Sequence, residues 1–143
     1  MELWRKAFLR GIAPALGRDA LAALRGGLAA NDPRIIRGAT TDPFADRDWS
    51  RLPCNGACAV GFAVWQADNL TTAGEVEDHF LMVAEHAATL YDSEPRRGRK
   101  GGLVRDSDTL FAEFINWFDE TPPHESYPQL IEAIDEALAA MPK

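Results

Sequence analysis

Length, composition and charge describe one globular domain and argue against several other classes of protein. A chain of 143 residues, 46% apolar and 26% charged, buries about two thirds of the surface that it exposes when unfolded, so it needs no disulfide framework. Basic residues interrupt the apolar stretches near the N-terminus, so we expect neither a signal peptide nor a membrane span. With only two cysteines, the default is a cytoplasmic protein with reduced thiols.

The net charge of −7 is divided unevenly along the chain. Residues 1–38 contain seven basic and three acidic residues, a net charge of +4, which leaves −11 for the remainder. An acidic body of this kind repels nucleic acid and anionic membranes. We therefore expect neither as a partner, and we expect contacts with another protein or with a second copy of this chain.

The first predicted helix covers residues 2–12 and is amphipathic, because Trp4 and Phe8 are four residues apart. Pro14 is predicted to end it. A helix this short is marginal alone, so its aromatic pair must either close the chain's own core or bind another chain. The glycines and the proline nearby favour a movable arm over residues 1–12, with Trp4 and Phe8 as partner-binding residues.

Two further segments precede an ordered loop. Residues 17–28 are predicted to be a helix with leucines at every third or fourth position on one face. The Asp32–Pro33 pair predicts a short linker helix that ends at Gly38. Residues 39–53 are then predicted to be a loop that is held in place where its two aromatic rings dock.

Residues 54–68 show two competing patterns. Apolar residues alternate at positions 60, 62 and 64 as in a strand, whereas Cys58, Phe62 and Trp65 have the spacing of a helix. We interpret the segment as a helix, because the chain contains no second strand candidate to pair with it. Cys54 and Cys58 are then interpreted as two buried, small apolar residues, since catalysis by a cysteine needs a neighbouring histidine.

The segment 72–91 is predicted to be the central helix of the fold. Thr72 and Glu75 form a capping box at its start, in which each side chain bonds the amide of the other residue. A second apolar flank, which includes Leu81, indicates neighbours on two sides. The main apolar stripe recurs at steps of three and four residues and consists of Val76, Phe80, Val83, Ala87 and Leu90.

The glycine-rich segment 93–105 is predicted to be a flexible basic loop. Its basic residues either meet an acidic partner or a phosphate, or are solvated and balance the acidic body. The candidate partner-binding residues in this loop are Arg96, Arg97, Arg99 and Lys100.

Two helices are predicted to complete the chain. Residues 106–119 form the most aromatic helix, and Pro122 ends it. Ser126 and Gln129 predict a capping box for a last amphipathic helix. With neither hairpin signals nor strand–helix alternation, these elements predict an all-α fold, a single-domain bundle of five or six helices.

The central helix also carries the candidate metal ligands, Glu75, His79 and His86. The two histidines are about 10.5 Å apart along the helix axis, too far for one ion unless another helix contributes ligands. The alternative is the polar margin of an amphipathic helix. We adopt that alternative, so we expect no metal and no cofactor.

Four segments carry a resemblance to known proteins. GATT at 38–41, ACAVGFAVW at 57–65, EVEDHF at 75–80 and NWFDETP at 116–122 resemble a set of short bacterial proteins of planctomycete type. The resemblance leaves out the N-terminal helices and the basic loop. It implies a shared fold and no activity, and therefore no site residues.

These observations predict a protein-interaction module, an adaptor, regulator or immunity-like binder, and not an enzyme. Phosphate-binding loops, a nucleophile elbow and a zinc-protease helix are absent from the sequence. One alternative is a helical protein that binds a metal or cofactor through Glu75, His79 and His86. The other is a small enzyme that uses an acid such as Asp119, although no second carboxylate stands at a fixed spacing from it.

Overall fold

The computed structural model describes residues 2–44, 48–91 and 110–142, together with the backbone at 96–97 and 103–104. Within these ranges six helices form a bundle, which confirms the predicted all-α fold. Helix α1 spans residues 3–16 and consists of Leu3–Ala7, a π-helical segment Phe8–Ile12 and Ala13–Leu16. The others are α2 (Arg18–Ala29), α3 (Ala59–Ala67), α4 (Ala73–Tyr91), α5 (Leu110–Glu120) and α6 (Pro123–Ala140).

The described part of the chain contains two short antiparallel ribbons and no larger sheet. Strand β1 (Thr41–Asp42) pairs with β2 (Gly56–Ala57), and β3 (Arg96–Arg97) pairs with β4 (Leu103–Val104). The helical interpretation of 54–68 is therefore right from Ala59 onward and wrong for β2. Its partner strand lies in the segment predicted to be a loop, and two-residue strands are too short to show a period.

Helix α4 is central, as predicted, because it packs against α1, α3 and α5. Helix α2 packs against α3 and α6 on another side of the bundle. The main predicted stripe of α4 faces the core: Val76, Val83 and Ala87 are buried, and Phe80 and Leu90 are partly buried.

Helix α1 continues past Pro14, so the predicted stop is wrong. In the π-helical segment the amide of Ala13 bonds the carbonyl of Phe8, five residues back, instead of the usual four. This wider turn places Pro14 in the first turn of the next α-helical stretch, where a missing amide costs little. The helix ends at Gly17, whose φ of +85° suits a residue without a Cβ.

A buried tyrosine of α4 contacts α1 at the π-helical segment. The hydroxyl of Tyr91 donates to the carbonyl of Ala7 at 2.5 Å, and the tyrosine ring lies directly over Gly11. A methyl group at Gly11 would overlap that ring. Gly11 is therefore needed for the close approach of the two helices.

The N-terminal residues are part of the core, so the predicted movable arm is wrong. The indole of Trp4 is 4% exposed and stacks on Trp117 of α5, with ring centroids 3.7 Å apart and planes 4° from parallel. Phe8 is fully buried against Phe114, with centroids 5.5 Å apart. Of the two alternatives for this aromatic pair, the structure shows closure of the chain's own core.

Residues 30–40 contain no helix, in contrast to the predicted linker helix. The carboxylate of Asp32 accepts bonds from the amide and the guanidinium of Arg34, a local ring that competes with a helical turn. The guanidinium of Arg34 also lies over the rings of Phe62 and Trp65, 5.5 and 5.3 Å from their centroids. These contacts attach the connection to α3.

The last helix begins earlier than the sequence indicated. Pro122 is its N-cap residue, and the amide of Ser126 already bonds the Pro122 carbonyl inside the helix. The predicted capping box of Ser126 and Gln129 is therefore wrong: the Ser126 hydroxyl is buried without a partner among the described residues, and Gln129 bonds the Glu125 carbonyl. The start predicted for α5, at 106–109, lies outside the described residues.

Candidate partner-binding surface

The capping box of α4 is confirmed and occupies the carboxylate of Glu75. That carboxylate accepts bonds from the amide of Thr72 at 3.1 Å and the hydroxyl of Thr71 at 2.9 Å, while the Thr72 hydroxyl accepts from the Glu75 amide at 3.2 Å. These hydrogen bonds lower the pKa of Glu75. The bond from the Thr72 amide contributes most, and the bonds from the Thr71 and Thr72 hydroxyls contribute less. The Glu75 carboxylate thus serves the start of the helix.

The three candidate metal ligands are not brought together. Nδ1 of His79 lies 2.9 Å from the carbonyl of Glu75, and its Nε2 lies 3.8 Å from a carboxylate oxygen of Asp68, a neighbour that the sequence did not indicate. His86 is exposed and, with Asp68 and His79, lines a shallow depression of about 280 Å³. Across the described residues, no three His, Cys, Asp or Glu side chains are grouped as a metal site requires.

The two cysteines are buried, as interpreted from the sequence. Sγ of Cys58 caps α3 by accepting from the Gly61 amide at 3.4 Å, and burial raises the pKa of this thiol to about 12. Burial also raises the pKa of Cys54, whose Sγ donates to the Gly56 carbonyl. A thiol with a pKa near 12 is protonated at neutral pH and is a poor nucleophile.

Asp119, the candidate acid, has a structural partner. One of its carboxylate oxygens accepts a bond from the amide of Gly38 at 3.0 Å, which ties α5 to the connection before β1. Next to this bond is a cavity of about 190 Å³, lined also by Thr40, Cys58 and Phe80. We find no second carboxylate lining this cavity to act with Asp119.

The predicted partner-binding residues are distributed as follows. Trp4 and Phe8 are covered by α5 and offer no surface to another chain. Arg96 and Arg97 are described through their backbone only, as strand β3. Arg99 and Lys100 lie outside the described residues.

Helix α4 instead exposes an apolar pair, Leu81 and Met82, of which Leu81 was predicted to lie on a covered flank. Leu81 is 47% exposed and Met82 is 63% exposed, so the expected neighbour on the Leu81 side is missing among the described residues. Asp78 and Glu85, both exposed, precede and follow this pair. Positions 78, 81, 82 and 85 have the spacing i, i+3, i+4 and i+7 and form one stripe, which we call the α4 face.

The α4 face was readable from the sequence in principle. Its spacing is helical, and its two acidic residues enclose two large apolar ones. The sequence does not indicate how α4 is packed, because a helix with two apolar flanks does not show which flank a neighbouring helix covers. The structure resolves this by covering Val76 and Val83 and leaving Leu81 and Met82 in solvent.

The described helices include none that is long and apolar enough to cross a membrane. No protein-family model matches the chain, and no curated protein or solved structure matches it at a significant level. The resemblance to planctomycete-type proteins stays a prediction. Its four segments, distant along the chain, lie around or beside the 190 Å³ cavity, since 38–41, 57–65, 75–80 and 116–122 each contribute a lining residue.

Proposed function

We propose that this protein is a non-enzymatic interaction module of the cytoplasm, which binds a basic amphipathic segment of another protein through the α4 face. The observation that carries the proposal is the exposed Leu81–Met82 pair. Most large apolar side chains of the helices are buried or packed against the core, so this pair is an exception on the surface. Methionine adapts its shape easily and is common on binding surfaces.

Charge decides which partner suits this face. Asp78 and Glu85 stand at the two ends of the apolar pair, and the chain as a whole carries a net charge of −7. A second copy would bring the same acidic residues against each other, and like charges at an interface are unfavourable. A helix with apolar anchors flanked by Lys or Arg is complementary to the face, and such helices commonly bind in this way.

The competing functions receive less support from the described residues. For a metal or cofactor role through Glu75, His79 and His86, the described residues offer no group of three ligands, and Oε1 of Glu75 is engaged in the helix cap. Asp119 has a structural role, since one of its oxygens accepts the Gly38 amide, and no second carboxylate among the described residues lines the cavity beside it. The α4 face needs no rearrangement, because its side chains are already in solvent.

Selection from a displayed library of helix-forming peptides tests the proposal. We expect the selected peptides to be cationic, with an apolar stripe, and to bind less well as salt is added. The double substitution of Leu81→Ser and Met82→Ser should weaken their binding by about tenfold or more, since central apolar contacts each contribute about 1–2 kcal/mol.

Leu3→Ser is the matched control, because Leu3 is 52% exposed on α1 and lies outside the α4 face. It should leave the affinity unchanged. Acidic or uncharged selected peptides, or peptides that bind the double variant as tightly as the original chain, would contradict the proposal.

A further inference from the structure

A groove of about 600 Å³ lies between the second half of α1 and the end of α6. Its floor and walls are apolar, with Leu9 and Ala13 from α1 facing Ala137, Ala140 and Met141 at the end of α6. The alanines are too small to close the space between the two helices. The volume lies within the range that small-molecule sites occupy.

A guanidinium stands at the edge of this groove. One nitrogen of Arg18, Nη2, donates to the carbonyls of Leu138, Met141 and Pro142 at 3.2–3.4 Å, and these bonds hold the side chain at the groove. Nε and Nη1 have no hydrogen-bond partner among the described residues, and no described carboxylate lies within 4 Å of the guanidinium. Arg25, in the same helix, is by contrast paired with Asp135 at 2.6 Å.

The acidic residue of the groove, Glu136, is paired with Arg5, which also bonds Glu132 at 3.4 Å. Glu136 lines the groove, and its carboxylate accepts from Arg5 at 2.6 Å. Helix α2 begins at Arg18, so the positive end of its dipole lies at the same edge, and Gly17 provides no side-chain cap there. The groove therefore combines an apolar body with a guanidinium at its edge.

We propose that this groove binds an alkyl carboxylate, such as a medium-chain fatty acid. The alkyl chain lies between α1 and α6, against Leu9 and Met141. The carboxylate accepts hydrogen bonds from the free nitrogens of Arg18, which match a planar anion well. The site is separate from the α4 face and does not depend on the function proposed for that face.

Titrations of the full chain with decanoate, decanol and decylammonium, all below their aggregation concentrations, test this assignment by calorimetry. We expect saturable binding of one decanoate, weaker binding of decanol and none of decylammonium. Arg18→Gln should weaken decanoate binding by about tenfold, the effect of losing a charge-assisted hydrogen bond, and should leave decanol binding unchanged.

A second variant keeps the test independent of Arg18. Ala140 is exposed, and Ala140→Leu fills the groove, so it should weaken decanoate and decanol binding alike. Ala139→Leu is the matched control on the same turn, outside the groove lining, and should bind as the original chain does. Absence of saturable decanoate binding, equal binding of decylammonium, or full binding by Ala140→Leu would each overturn the proposal.

Discussion

Helix α1 has two sides that are packed by opposite means. Towards α5 it places large rings that pack in the core, Trp4 on Trp117 and Phe8 on Phe114, and a depression of about 450 Å³ remains beside the tryptophan stack. Towards the end of α6 it places Leu9, Ala13 and Pro14, which line an apolar groove. The comparison teaches that one helix can bury large rings on one side and line an apolar groove on another, according to the side chains that it presents on each side.

The side with the large rings should dominate stability. Trp4→Ala removes a stacked, buried indole and should lower the free energy of unfolding by about 3–5 kcal/mol. Chemical denaturation followed by circular dichroism measures the loss. Leu3→Ala, one residue away and 52% exposed, should change the value by less than about 0.5 kcal/mol.

Deletion of residues 2–12 should likewise unfold the domain, since Phe8 and Ile12 are fully buried. A truncated chain that still melts cooperatively would show that α1 contributes little, and the contrast between its two sides would then carry no energetic meaning.

The next effect concerns the contact of α1 with α4. Gly11→Ala should lower the free energy of unfolding by about 1–3 kcal/mol, because the new methyl group overlaps the Tyr91 ring. Gly26→Ala is the control, because a Cβ there meets nothing within 4 Å. It should stabilise the chain by up to about 1 kcal/mol through helix propensity. Thermal melting of both variants shows whether steric overlap lowers the stability of Gly11→Ala by more than the gain in helix propensity raises it.

The smallest effect is expected on the open side of α1. Ala140→Leu places its added atoms in the groove and should change the free energy of unfolding by less than about 0.5 kcal/mol. Denaturant titration measures this change. A loss above about 2 kcal/mol would mean that the groove is too narrow for a ligand, and that both sides of α1 are closely packed.

Sequence patterns predicted the elements that local chemistry determines. The capping box of Thr72 and Glu75 needs only residues three apart, and the stripe of α4 needs only its own period. The arm at Trp4 was predicted wrongly because its fate depends on Trp117, a distant residue of α5. Helix continuation through Pro14 depends on a π-helical segment, which no local period indicates.

The candidate site was predictable only in part, for the same reason. The helical spacing of residues 78, 81, 82 and 85 is present in the sequence, but their exposure depends on which helices surround α4. No sequence motif includes Arg18. Its position at the groove is set by hydrogen bonds to the carbonyls of Leu138 and Met141, which are distant in sequence. Such contacts between distant segments are the part of a fold that sequence patterns reveal least.

The stack of Trp4 on Trp117 also has a consequence for the order in which the molecule assembles during synthesis. Trp4 and Arg5 leave the ribosome well before their partners on α5 and α6, Trp117 and Glu136. Contacts between segments so far apart in sequence slow folding, because long loops must close before the contacts form. Until α5 emerges, Trp4 lacks Trp117 and Phe8 lacks Phe114, so a growing chain exposes part of an aromatic surface that suits a chaperone.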